Sequence, residues 1–346
     1  MIHTSRWLSV AMLGFALAAC ATSNSQAGTT TTAGGVIARR FEPRDPHGEP
    51  LALLPPGAVS WARVDARRAR ASRHWGPITA MLTNVGLMDT VRRFEREIGV
   101  DPLASTSTLA GAVYERVSGP PDAVLAQLPR AALVLRDGFD ANTVRAALGR
   151  DGTTVREERV GALTVYTNGR YAVSFLAPDV MIAFHPAIAA NVERQLSGEE
   201  STTLERDPEL APLWERAGVR ASAVARSAGR DTIPFSIDVG EDSRISVPSF
   251  QRVVAWVDGD DAVTVRAVAL APRDGDAARF VSGLDGMRRD YGGRFLVRIM
   301  GFARLLNEGV SLSTDGAHVR IAIDAQGSEV QRAIQVAGAG AALRGG

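Results

Sequence analysis

The sequence predicts an α+β protein made of mostly antiparallel sheets with helices on one face. Three observations carry that reading. Short runs with apolar residues at alternate positions recur along the chain, and longer stretches with apolar residues at helical spacing separate them. Two pairs of the short runs are joined by Asn168-Gly169 and Asp315-Gly316, dipeptides that readily take up the left-handed backbone of a tight hairpin. Hairpin-linked strands are antiparallel, and helices interleaved with them have to cover a sheet.

The elements follow in order. Gly57 to Asp65 alternates as a strand. Ile78, Met81, Leu82 and Val85 fall at helical spacing, with Gly86 as a stop. Leu87, Val91, Phe94 and Ile98 form the apolar stripe of the next helix, and Arg92, Arg93, Glu95, Arg96 and Glu97 form its solvated side. Ala131 to Arg136 is a strand, after which Asp140 is placed to cap a helix carrying Val144 and Leu148. Leu163 to Thr167 and Tyr171 to Leu176 flank Asn168-Gly169, Val180 to Phe184 is another strand, and Pro186 opens a helix through Leu196. Ser227 to Pro248 carries no clear pattern. Beyond it, Arg252 to Val257 and Ala262 to Leu270 are strands around the acidic turn Asp258-Gly259-Asp260-Asp261. Asp276 to Asp290 and Phe295 to Leu306 read as helices, Val310 to Ser313 and Val319 to Ile323 as a hairpin, and a last helix starts near Ser328.

The two halves resemble each other. Asp137-Gly138-x-Asp140-Ala141 leads to Val144 and Leu148, as Asp274-Gly275-Asp276-Ala277 leads to Phe280 and Leu284, and each half then reaches paired strands and a closing helix. The expected organisation is a signal at 1–19, a tether at 20–50, one α+β unit at 51–235 and a related one at 236–346, continuous or separate.

Met1 to Ala19 has the build of an export signal: a polar start with Arg6, an apolar run from Trp7 to Leu17 too short to span a bilayer, then small residues. The run Leu17-Ala18-Ala19-Cys20 resembles the lipobox of bacterial lipoprotein precursors, and Cys20 is the chain's single cysteine. The resemblance implies cleavage before Cys20, lipid on its sulfur, and, with Ala21 rather than Asp following, the outer membrane. It covers about the first 20 residues and leaves the folded part unassigned. Ala21 to Pro50 is rich in Thr, Gly and Pro with no apolar period, and such a chain reads as a flexible tether spanning roughly 30 Å.

Composition excludes several chemistries. All 39 basic residues are arginine, so Schiff-base chemistry, a Ser-Lys dyad and a phosphate loop with its lysine are absent. Setting aside Arg6 of the signal, the remaining 38 arginines balance 38 acids, which argues against nucleic acid as a partner. With Cys20 assigned to lipid, neither a disulfide, a thiolate zinc site nor a cysteine nucleophile remains.

Of the five histidines, His3 lies in the signal and His47 in the tether, and His74, His185 and His318 sit at element ends without metal-ligand spacing. Ala225-Arg226-Ser227-Ala228-Gly229 approaches a hydrolase nucleophile elbow but lacks a helix after it. Glu157 and Glu158 would face opposite sides of a strand, Glu199-Glu200 follows a loop glycine, and the Asp258 turn offers too few ligands for calcium. Gly338-Ala339-Gly340 reads as a fraying tail. No catalytic, cofactor or metal residue is named. The expected function is a lipid-anchored, non-catalytic binding or assembly module at the cell envelope. The alternatives are an envelope hydrolase with a long-range Ser/His/Asp site and a tethered ligand receptor.

Overall fold

The computed structural model describes residues 42–84, 87–114, 130–202, 209–218, 221–227, 235–238, 244–248, 250–293 and 301–342. Its centre is one antiparallel sheet of twelve strands. In chain order these are β1 (Ser60–Asp65), β2 (Thr108–Val113), β3 (Ala131–Arg136), β4 (Arg156–Val160), β5 (Leu163–Thr167), β6 (Ala172–Ala177), β7 (Val180–Phe184) and β8 (Ser222–Ser227). A separate two-stranded hairpin follows, β9 (Phe235–Asp238) and β10 (Arg244–Val247). The sheet is completed by β11 (Arg252–Asp258), β12 (Val263–Leu270), β13 (Val310–Asp315) and β14 (His318–Ala325). Across the sheet the order is β13-β14-β12-β11-β8-β1-β2-β3-β7-β6-β5-β4.

Among the described residues eight helices accompany the sheet: α1 (Ala66–Ala71), α2 (Trp75–Asn84), α3 (Leu87–Ile98), α4 (Ala141–Leu148), α5 (Ala189–Leu196), α6 (Leu210–Ala217), α7 (Asp274–Gly292) and α8 (Gly327–Ala342). The α+β class is as expected, but the helices lie on both faces. The reason is in the strands. All five residues of β7 are buried, so that strand needs cover on each side. On the front, Trp61, Ala112, Val134, Ile182, Phe184 and Val254 pack under Leu51, Leu53 and Leu54 of the entering chain, Val192 of α5 and Trp214 of α6. On the back, α3 and α4 set Ile98, Val144 and Leu148 against Leu135, Val173 and Met181. Further along the back, α7 sets Ala277 and Phe280 against Ala269 and Val319. There α8 also sets Val330 and Ala333 against Val263 and Ile323, with Ile78 of α2 alongside.

Local signals explain the element ends. The Asp140 carboxylate accepts from the Thr143 N–H, 2.8 Å away, and this bond holds its pKa below the usual carboxylate range. At Gly138 the backbone has φ 69°, and a Cβ there would overlap the Ser105 carbonyl.

The chain path repeats about the central β1–β8 pair. On one side the strands run β1-β2-β3-β7-β6, on the other β8-β11-β12-β14-β13. Each side sends a helix across the back after its third strand, α4 and α7. The two sides also differ. The first inserts the β4–β5 hairpin, the second the β9–β10 hairpin, and the closing helices take opposite faces, α5 the front and α8 the back. The units expected from sequence divide near the start of β9, whereas sheet order groups β8 with β11 to β14.

Candidate functional site

The feature that links the N-terminal region to the fold is a strap, residues 42–55, laid across the front of the sheet. Sequence placed residues up to Pro50 in a free tether, and here the structure corrects that reading. Arg44 N–H donates to the Leu196 carbonyl over 2.8 Å, and Arg44 Nη2 to the Glu200 carbonyl over 2.7 Å. Arg136, on the front of β3, donates from Nη2 to the carbonyls of Pro46, at 3.0 Å, and Gly48. Burial pulls the Arg136 guanidinium below its ordinary range, and the field of Glu49, Asp45, Asp179 and Asp137 opposes that pull. His47, also assigned to the tether, lies 2.9 Å from Asp179 through Nε2, and this bond lowers the Asp179 pKa.

Deeper under the strap sits Arg63 of β1, 3% exposed. Its Nη1 is 3.1 Å from Glu49 Oε2, its Nη2 donates to the Gly218 carbonyl, and its guanidinium lies 5.1 Å from the Trp214 ring centre. Glu49 also accepts from the Leu51 N–H at the start of a 3-10 turn, Pro50–Leu53. Gln195 of α5 is fully buried and donates to the Ala52 carbonyl at 2.6 Å. Tyr114 closes the strap by donating to the Pro55 carbonyl at 2.9 Å. Leucines 51, 53 and 54 fill the space beneath, which the small side chains of Ala110, Ala112 and Ala132 leave open.

The arrangement is a seat for a segment of chain. Arg44 and Arg136 bond the backbone on either side of it, and Arg63 bonds the Glu49 carboxylate of the strap. It also holds spare donors: the indole N–H groups of Trp61 and Trp214 and Nε of Arg63 are buried without a hydrogen-bond partner among the described residues.

The residues weighed from sequence lie elsewhere. His74 is buried rather than hydrated as expected at a helix start, because the β11–β12 turn covers it; its Nε2 is 3.3 Å from the Asp261 carbonyl. His185 accepts from the Ala187 N–H at the end of β7, and His318 opens β14. Those positions do not converge. Ala225, Arg226 and Ser227 end β8, and Ala228 and Gly229 lie outside the described residues. The acidic turn is neutralised by arginine: Arg68 is 2.6 Å from Asp258 and 3.4 Å from Asp260, and Arg73 is 3.0 Å from Asp261. Among the described residues there is no cluster of three or more His, Cys, Asp or Glu able to hold a metal. Glu157 and Glu158 pair with Tyr166 and Val165, whose side chains pack on opposite faces of the sheet. Gly338 to Gly340 lie inside α8, not beyond its end. Cys20 lies outside the described residues. No helix described is long and apolar enough to cross a membrane.

No protein-family model matches the chain, and no curated protein matches it. Among solved structures it is similar to crystal forms of TP0453. Form III aligns with TM-score 0.46 at 11% identity over 84% of this chain and 98% of that one. Form IV aligns with TM-score 0.44 at 12% identity over 83% and 96%.

Proposed function

We propose that the protein is exported, cut before Cys20, lipid-modified there, and works at the cell envelope as a non-catalytic binding or assembly module, with the outer membrane as its site. The observation that carries the reading is the run Leu17-Ala18-Ala19-Cys20 closing an apolar stretch too short to span a bilayer. The strap's contacts reach back to Arg44, so on this reading the chain between a lipid on Cys20 and the sheet would end at a fixed exit point. Two or more acyl chains on Cys20 would hold the chain to a membrane without a spanning helix, since each buried methylene contributes about 0.8 kcal/mol.

Detergent-phase partition of the chain expressed in bacteria tests the reading. The parent should enter the detergent phase and Cys20→Ser should remain in the aqueous phase. Equal partition of the two would refute the anchor.

A further inference from the structure

We infer that the outer edge of β13 is a docking edge for a second copy of this chain, the two β13 strands pairing antiparallel across a two-fold axis so that one sheet runs through the dimer. The inference does not depend on lipid at Cys20.

A twelve-stranded open sheet has two edges, β4 and β13, and they are built differently. On β4 the run Arg156-Glu157-Glu158-Arg159 is exposed throughout. An antiparallel self-pair centred on Glu157 or on Glu158 sets that glutamate against its own copy, which is unfavourable. Charge of this kind is how edges resist pairing. On β13, Val310 to Thr314 carry no charge. A self-pair centred on Leu312 sets Ser311 against Ser313 and Val310 against Thr314. One centred on Ser313 sets Leu312 against Thr314. Neither opposes like charges, and the first charged residue, Asp315, is already 2.6 Å from Arg320.

The repeated path says what is missing. In the first half the strand corresponding to β13 is β6, and its outer edge is covered by β5, with Tyr166 opposite Val173 and Thr167 opposite Ala172. The second half has no strand in that place among the described residues, and β13 pairs with β14 alone. The chain also joins its own two halves in the proposed manner. At the centre β1 and β8 pair antiparallel, Ala62 opposite Val224, and carry one sheet from one half into the other. A two-fold perpendicular to the sheet keeps faces matched. The exposed Ser311 and Ser313 of both copies stay on the front, and Leu312, packed towards α7, stays on the back.

Two measurements on the full chain test this. Sedimentation over a concentration series should show a reversible dimer. Ser311→Lys combined with Ser313→Lys, both on exposed positions, should lower the association constant tenfold or more. For cross-linking, cysteines are placed in the chain carrying Cys20→Ser and oxidised. Ser313→Cys alone should give covalent dimer if the axis passes through Ser313, and Ser311→Cys with Ser313→Cys should do so if it passes through Leu312, since directly opposed Cβ atoms approach to about 4.5–5.5 Å. Glu158→Cys on the other edge should give none. A parent that is monomeric at every concentration, a dimer indifferent to the two lysines, or cross-linking equal at Glu158→Cys overturns the inference.

Discussion

Arg136 is the residue at which the N-terminal segment becomes part of the fold. It donates to two strap carbonyls, and both would be left short of a donor if its guanidinium were removed. Arg136→Met should therefore cost about 2 kcal/mol, read as a lower urea midpoint with an unchanged slope; an unmoved midpoint would show that the strap is seated by its leucines alone. Tyr114 gives a pH signature. Burial pushes its phenol far above the ordinary range. Because the folded value is raised, the stability it contributes is complete below the unfolded pKa of about 10 and falls as pH rises above it. Stability should drop between pH 10 and 12, and Tyr114→Phe should flatten that drop while losing about 1 kcal/mol at neutral pH from the bond to Pro55. A drop of the same size in the variant would assign it to other groups.

At the scale of elements, the strap is an apolar plug framed by polar fastenings. Leu53 is fully buried in it, so Leu53→Ala should lower stability by about 2–5 kcal/mol. In limited proteolysis the stable core should begin at or before Glu42 rather than at Leu51; a core that begins at Leu51 would mean the fastenings of Arg44, Arg136 and His47 do not hold. Nothing in residues 42–50 announces this from sequence. The segment is rich in Pro, Gly and charge, and what orders it comes from Arg136, 88 and 90 residues away, and Asp179, 132 away. Elements that carry their own signals were legible: β3, β5 and β7 alternate or run apolar between clear turns, and α4 has Asp140 at its cap. Those built of small residues were not. β2 reads Thr-Leu-Ala-Gly-Ala-Val and β8 Ser-Ala-Val-Ala-Arg-Ser, with too little large apolar side chain to show a period. α6 holds Pro212 in its first turn, which reads as a break although that position tolerates proline. The arginine seat escaped for the same reason as the strap, because nothing near Arg63 or Arg136 in the sequence signals that Glu49 and the strap carbonyls are laid over them.

For the whole molecule, the sheet passes through the β1–β8 pair without interruption, and one front core contains residues of β1, β2, β3, β7, β8 and β11. The repeated halves should not melt separately. Thermal unfolding followed by near- and far-ultraviolet dichroism should give one coincident transition, and two resolved transitions would mean that the halves are independent. On the proposed reading Cys20 sets the molecule's place in the cell, and mass spectrometry of the mature protein purified from a bacterial membrane tests that directly. The account predicts an N-terminal peptide that begins at Cys20 and carries the mass of attached acyl chains. A mature chain that begins elsewhere, or at an unmodified Cys20, would contradict it.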